Sequence, residues 1–219
     1  MGKRGPKPKG RVDTSWRAEL AYALGLITAD GSLSKNGRHI DLTSKDLDQL
    51  ETYRSCLGIE DIKIGSKRST HANDVSYYRV QFGDVLFYQW LADRGLAPNK
   101  SKTIQKVDVP DKYFFDFVRG EWDGDGTIYC SEDKRWKNSY VVSIAFASGS
   151  SEFLQWLQKE INKRIGTTGH IQESTRALQL RYARRDSRKL FDAMFYVNDL
   201  PHLSRKFAKA QKIFKMTGL

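Results

Sequence analysis

The chain repeats itself, and this limits its possible folds more than any other feature of the sequence. Residues 19–33, ELAYALGLITADGSL, lie over residues 114–128, FFDFVRGEWDGDGTI, with Asp30 on Asp125, Gly25 on Gly120, Gly31 on Gly126 and Ala29 on Gly124. The segments after the two copies also run in one order. IDLTSKDLDQLETYRSCLGI and IAFASGSSEFLQWLQKEINKRIG each read as a strand end, a Ser cap and an amphipathic helix stopped at Gly58 or Gly166. Period-two alternation then predicts half-buried strands, with Tyr78, Val80 and Phe82 against Arg79 and Gln81, and Leu178, Leu180 and Tyr182 against Gln179 and Arg181. A further helix is predicted near 85–94 and near 187–197. Each half therefore reads αββαββα, over residues 12–106 and 107–219, joined near TIQKVDVPD, and neither looks self-sufficient.

Ahead of the halves stands MGKRGPKPKGR, residues 1–11, a Gly-, Pro- and Lys-rich arm expected to be disordered when free. Lys3, Arg4, Lys7, Lys9 and Arg11 give it five positive charges and no acid, so of the formal net charge of +11 the remainder still carries +6. A basic chain calls for a polyanionic partner, nucleic acid or an acidic membrane surface. No apolar run approaches the roughly 20 residues that span a bilayer, and the N-terminus lacks the apolar stretch of a secretory signal. The expectation is a soluble intracellular protein of the cytoplasm or an organelle matrix that does not engage membranes. Cys56 and Cys130 have no paired spacing and are expected as reduced thiols, Cys56 packed on a helix.

The repeated helix carries the chemistry. Ala21, Gly25 and Ala29 recur every four residues on one helix face, and Gly120 and Gly124 occupy the matching face of the second copy. Interior glycine costs a helix about 1 kcal/mol against alanine, so aligned glycines imply close packing of helix on helix. If the two helices pack as pseudo-twofold mates, Asp30 and Asp125 meet at their C-terminal ends. Each such end already carries about half a negative charge, so cations must offset the repulsion. Hard divalent ions held by one or two carboxylates and a substrate phosphate fit that need. For a single copy, a turn role in Asp-Gly explains the residue equally well. Recurrence in both copies weakens that alternative. The same test sets aside Asp123, whose counterpart is Thr28, and Glu121, whose counterpart is Leu26.

ALGLITADG (residues 23–31) and VRGEWDGDG (residues 118–126) resemble the two signature helices of the LAGLIDADG homing endonuclease family in its single-chain form, over about residues 16–215. The resemblance implies an α+β fold of two pseudo-twofold halves, each a curved antiparallel four-stranded sheet backed by helices and packed through the motif helices. It implies a monomer that cuts both strands of a long asymmetric DNA site across the minor groove, leaving short 3′ overhangs. Magnesium or manganese would be held by Asp30 and Asp125, with the carbonyls of Ala29 and Gly124 as further ligands and calcium as a non-catalytic substitute. A basic side chain near the metals is also implied. Lys45 matches such a position, though its mate is Gly149, and Lys100 and Lys102 in one half, with Arg205 and Lys206 in the other, are candidates; Lys45 and Lys102 are taken as catalytic. Solvated surface lysine is the alternative for each.

Each sheet would lie in the major groove, and its free face is polar and basic. The DNA-binding candidates are Lys35, Arg38, His39, Lys63, Lys67, Arg68, Arg79 and Gln81 in the first half, and Lys134, Arg135, Lys137, Asn138, Gln172, Arg176, Gln179, Arg181 and Arg184 in the second. Arg and Lys suit guanine edges, Gln and Asn suit adenine. The alternative activities are an intron maturase holding RNA and a DNA-binding regulator without chemistry. A glycosidase could use two carboxylates but leaves the basic face unexplained.

Overall fold

The two repeat segments form helices α1 (Ala18–Ala29) and α4 (Phe114–Asp125), and every other element is arranged about that pair. In a computed structural model, residues 10–68, 76–136, 139–175 and 177–219 are described. After α1 come β1 (Gly31–Leu33), β2 (His39–Ser44), α2 (Leu47–Leu57), β3 (Gly65–Arg68), β4 (Ser76–Gly83) and α3 (Val85–Asp93). After α4 come β5 (Gly126–Glu132), β6 (Tyr140–Ser148), α5 (Ser151–Ile165), β7 (His170–Glu173), β8 (Leu178–Ala183), α6 (Arg184–Met194) and α7 (Ser204–Thr217). Each half builds one antiparallel four-stranded sheet, in the orders β1-β2-β4-β3 and β5-β6-β8-β7. The α+β architecture expected from the repeat is present.

The glycines explain why α1 and α4 can lie backbone against backbone. A Cβ on Gly25 would fall on the Phe117 carbonyl oxygen and 2.7 Å from the Glu121 nitrogen, and one on Gly120 would fall on the Tyr22 carbonyl oxygen. Gly124 fits against the methyl group of Ala29. The buried part of α1, Leu20 to Thr28, is enclosed on all sides, because its other faces meet α2 and the first sheet. One core runs through both halves, joining Leu24 and Ile27 to Phe117 and Val118, and these to Ile40, Leu42 and Val80 of one sheet and Ile144, Phe146 and Leu180 of the other.

Alternation places the apolar strand residues toward this core and leaves the opposite face free. In the first sheet, Thr43 pairs with Arg79 and Asp41 with Gln81; in the second, Ala145 pairs with Arg181 and Ala147 with Gln179. No described helix is long and apolar enough to cross a membrane.

Three sequence expectations change. The second half carries an additional helix, α7, which has no counterpart of its length among the described residues of the first. The cap of α2 is Asp46, with Ser44 accepting from the Asp46 nitrogen at 3.1 Å, whereas Ser150 caps α5 as expected by accepting from the Phe153 nitrogen. Finally, α6 starts at Arg184, directly after β8, because Ser187 turns inward to accept from the Ile144 nitrogen and donate to the Tyr182 carbonyl.

Adding a methyl group at Gly25 or Gly120 forces the two motif helices apart. Gly25→Ala or Gly120→Ala is expected to lower the unfolding free energy by about 1–3 kcal/mol, the usual cost of overpacking, read from the midpoint of denaturant unfolding. Unchanged midpoints in both variants would contradict the contact.

Candidate active site at the junction of the motif helices

Asp30 caps the C-terminus of α1 and Asp125 is the last residue of α4, so the packing of the helices brings the two acids to one end of the junction. The Asp30 Oδ2 lies 3.3 Å from where a Cβ on Gly124 would stand. Both side chains reach solvent, but the packed ends of the two halves surround them. Burial, then the neighbouring Asp125 carboxylate, push the Asp30 carboxyl up to about 6, with Lys206 and Lys100 opposing the rise. Burial also raises Asp125, against the same two lysines.

Those lysines answer the electrostatic objection raised by two carboxylates at two helix C-termini. Lys206, from the first turn of α7, donates to the carbonyls of Trp122 (2.7 Å), Asp123 (2.9 Å), Gly124 (3.1 Å) and Gly126 (2.6 Å). Lys100, in a short 3-10 turn after α3, donates to the Gly31 carbonyl at 2.5 Å. Gly31 and Gly126 are repeat counterparts, so an ammonium group stands at the end of each motif helix; Lys206 satisfies carbonyls left open at the C-terminus of α4, whereas Lys100 reaches only the Gly31 carbonyl, just past the Asp30 cap of α1. Desolvation pulls Lys206 down to about 8 and lowers Lys100 as well. Lys102, expected from the sequence to be catalytic, is exposed at the end of the same turn, and the buried member is Lys100. In so tight a turn the two side chains leave in different directions, and sequence spacing alone does not say which goes inward.

Two recesses flank the acids. One, of about 260 Å³, is lined by Asp30, Thr43, Ser44, Lys45, Asp46, Gln49, Tyr77, Asp123, Gly124 and Arg205. Here Lys45 lies 5.2 Å above the Tyr77 ring, and Arg205 grips Asp46 across the halves with two bonds of 2.7 and 2.6 Å. The other, of about 60 Å³, holds Asp125, Glu121, Thr28, Ala29, Ser101, Ile104, Ser148, Gly149 and Phe153. Burial, then the nearby Asp125, raise the Glu121 carboxyl well above the usual range.

The residues present fit a hard divalent cation. Asp30 lines one recess with Gly124 and Asp125 lines the other with Ala29, so each acid stands with the helix-end residue of the opposite copy, and the raised Asp30 and Asp125 carboxyls are what an added positive charge would lower. Among the described residues no group of three or more His, Cys, Asp or Glu side chains is set to hold a metal. A cation here would thus complete its shell from carbonyls, water or a phosphate. The Gly124 carbonyl already accepts from Lys206 and has one lone pair left.

On the free sheet faces, Arg79 donates to Gln81, and Arg181 donates to the Ser143 Oγ at 2.8 Å and lies 5.1 Å from the Tyr129 ring. Gln172 pairs with Gln179 and shares that face. Register adds Tyr77 and Asp41 to the first face and Tyr129 and His170 to the second, four residues outside the set expected from the sequence. Lys35, Arg38 and His39 belong to the outer β1–β2 hairpin, Lys134 and Arg135 to the outer β5–β6 hairpin, and Lys63 to the loop after α2. Arg135 is already paired with Asp133. Arg184 is not a strand residue: it opens α6 and donates to the Thr217 carbonyl at 3.3 Å. Lys67 pairs with Tyr77 and Arg68 with Ser76 in the backbone ladder. The side chains of Lys67 and Arg68, residues Lys137, Asn138 and Arg176, and arm residues 1–9 lie outside the described residues.

Protonation of Asp30 gives a test without substrate. Its folded pKa of about 6 lies above the unfolded carboxylate value, so its ionised form opposes folding above pH 6, and that cost vanishes as pH falls toward 4. Without metal, Asp30→Asn should therefore melt at higher temperature than the parent at pH 8 and at the same temperature at pH 4. Each kcal/mol recovered is worth about 2–4 °C at this chain length. A lower melting point at pH 8 would contradict the desolvated environment.

Residues 17–86 match the family model described as LAGLIDADG-like domain. No curated protein matches the sequence. Among solved structures, the homing endonuclease I-WcaI bound to its DNA recognition sequence is 16% identical, with a TM-score of 0.61 over 84% of this chain and 86% of that one. The N-terminal LAGLIDADG domain of DUF199/WhiA is 16% identical, with a TM-score of 0.56 over 89% and 90%. I-DmoI in complex with DNA and Ca is 16% identical, with a TM-score of 0.55 over 89% and 97%.

Proposed function

We propose that this chain, which carries a LAGLIDADG-like domain on the fold of the LAGLIDADG homing endonucleases, is a monomeric site-specific endonuclease that cuts double-stranded DNA. The observation that carries this reading is the pair Asp30 and Asp125, one from each half, meeting under Lys100 and Lys206 at the end of the junction between two free sheet faces. The sheets lie in successive major grooves, and the junction faces the minor groove between them. One carboxylate per strand gives a double-strand break with short 3′ overhangs at a long asymmetric site.

Asp30 and Asp125, with the carbonyls of Ala29 and Gly124, would hold magnesium or manganese. Such a cation supplies Lewis-acid stabilisation of the charge that develops on the scissile phosphate. Support comes from the solved complex of I-DmoI with DNA and Ca, similar in fold. Lys100 and Lys206 fix the helix-end carbonyls and keep a positive field over the phosphate. Lys45 stands only on the Asp30 side. On the sheets, Arg79, Gln81, Arg181, Gln179 and Gln172 contact base edges, and Asp41 can accept from a cytosine amino group. The hairpin residues Lys35, Arg38 and Lys134 hold phosphates.

A second reading has one observation in its favour: the LAGLIDADG domain of DUF199/WhiA is as similar in fold as I-DmoI is. A regulator that only binds DNA, or a maturase that binds intron RNA, would use the same faces without needing both acids.

The deciding experiment compares Asp30→Asn and Asp125→Asn with the parent on target-bearing plasmid with magnesium. Either variant should lose double-strand cleavage while binding the target within about tenfold, about 1.4 kcal/mol, and a chelator should reproduce the loss. Normal cutting by either variant refutes the assignment, and a parent that binds without cutting favours the regulator.

Affinity should fall by orders of magnitude between about 50 and 200 mM salt. Arg79→Ala and Arg181→Ala should each lose about 1–3 kcal/mol of discrimination at particular base pairs. A cleavage profile over all single-base changes checks this. Profiles unchanged in both variants would mean that the sheets do not read the site.

A further inference from the structure

The two recesses beside the acids differ in charge. On the Asp30 side, Lys45 and Arg205 stand among the lining, Asp46 is taken up by Arg205, and Asp123 Oδ2 accepts from the Tyr22 hydroxyl at 2.9 Å and the Leu203 nitrogen at 2.7 Å, its Oδ1 having no partner among the described residues. On the Asp125 side, no cationic side chain lines the recess among the described residues; Lys102 passes it with Cγ 3.4 Å from where a Cβ on Gly149 would stand, and Lys100 and Lys206 act on Glu121 and on both aspartates alike. The position matching Lys45 is Gly149, where a Cβ would come within 2.7 Å of the Ser101 carbonyl oxygen, so no side chain fits. Glu121 stands there instead.

Glu121 is 2% exposed, and its Oε2 has no hydrogen-bond partner among the described residues. A buried carboxylate oxygen left unpaired is costly. Nor does the helix need it: the counterpart in the other half is Leu26, fully buried in the core. An unpartnered acid kept where its mate is leucine, lining the same recess as Asp125, is set to serve something that enters the recess.

We propose that Glu121 is a ligand, together with Asp125, for a divalent cation on the Asp125 side, so that the two halves hold cations with unequal affinity. Glu121 and Asp125 together offer that cation two carboxylates free of side-chain ion pairs, whereas the corresponding recess beside Asp30 is partly neutralised by Lys45 and Arg205. Resting on the nuclease reading, the strand attended by Asp125 is then cut ahead of the strand attended by Asp30.

The test uses the full chain without DNA, titrated with terbium ions and read by tryptophan-sensitised luminescence, with calcium as competitor. The parent should show two unequal affinities. Glu121→Leu, which copies the other half, should weaken the tighter one by about 10–100-fold, and so should Glu121→Gln, which keeps the shape. Glu121→Asp should recover part of it. Removal of a buried unpaired carboxyl should leave the melting temperature of Glu121→Leu at or above that of the parent, and if that variant fails to fold, Glu121→Gln decides. Terbium binding that is uniform in the parent, or unchanged in the variants, overturns the proposal. A separate arm follows strand-labelled target with magnesium: the parent should accumulate nicks in one strand, and Glu121→Leu should even them out. If the parent cuts nothing but terbium binding responds to Glu121, the nuclease reading fails and the site stands; if the parent cuts and terbium binding ignores Glu121, only the proposal falls.

Discussion

Backbone contact between α1 and α4 is the constraint on which the rest of the molecule depends. Gly25 and Gly120 meet opposing carbonyl oxygens so closely that no side chain can intervene, and only that separation brings Asp30 and Asp125 to a common point. The same contact concentrates two helix C-termini, with their open carbonyls and partial negative charge, beside two carboxylates. Left alone, such an end would repel itself. Lys100 and Lys206 offset the repulsion by donating to Gly31 and to four carbonyls at the end of α4, and both acids still keep raised pKa values. The result is a pair of recesses, one beside each acid, at the end of the helix junction.

The pseudo-twofold symmetry of the helices is broken by their surroundings. Arg119, absent from the first copy, is fully buried and donates to Asp116 Oδ1 (2.7 Å), Met194 O (2.6 Å) and Pro201 O (2.8 Å), while the Tyr196 hydroxyl closes on Asp116. Trp122 packs edge-on against Phe191 and Phe195. These residues bind the 195–203 connection and α7 to α4, and α7 delivers Lys206. In the first half the same task falls to one lysine in a short turn. The divergence of the second motif is thus tied to the extra helix, and it also supplies Glu121 where the first motif has Leu26.

Much of the fold is legible in the sequence, for physical reasons. Alternation at Tyr78–Phe82 and Leu178–Tyr182 reports a sheet with one buried face, and aligned glycines report close helices because an interior glycine weakens a helix and close packing is what offsets it. Recurrence of Asp30 in Asp125 singles out the acids from their neighbours. Where no counterpart exists, comparison of the halves is silent: α7 has no equivalent of its length among the described residues of the first half, and Glu121 is set aside because Leu26 faces it. Lys102 stands out as readily as Lys100 because a single turn decides which is buried. Tyr77, Tyr129 and His170 escape because basic and amide side chains alone do not tell which face an aromatic residue occupies. Arg184 reads as a strand residue, yet the strand ends one residue before it.

In the proposed function, the two halves form one catalytic unit acting on both strands at one place. Incubating the chain with magnesium and a plasmid library carrying a randomised insert, then sequencing both ends of every linear product, tests it most directly. A single catalytic unit predicts linear products from a narrow, asymmetric set of inserts, with both strands cut within a few base pairs of each other and short 3′ overhangs. Products with 5′ overhangs, scattered nicks without sequence preference, or no linear DNA from a protein that nevertheless binds the library would contradict it.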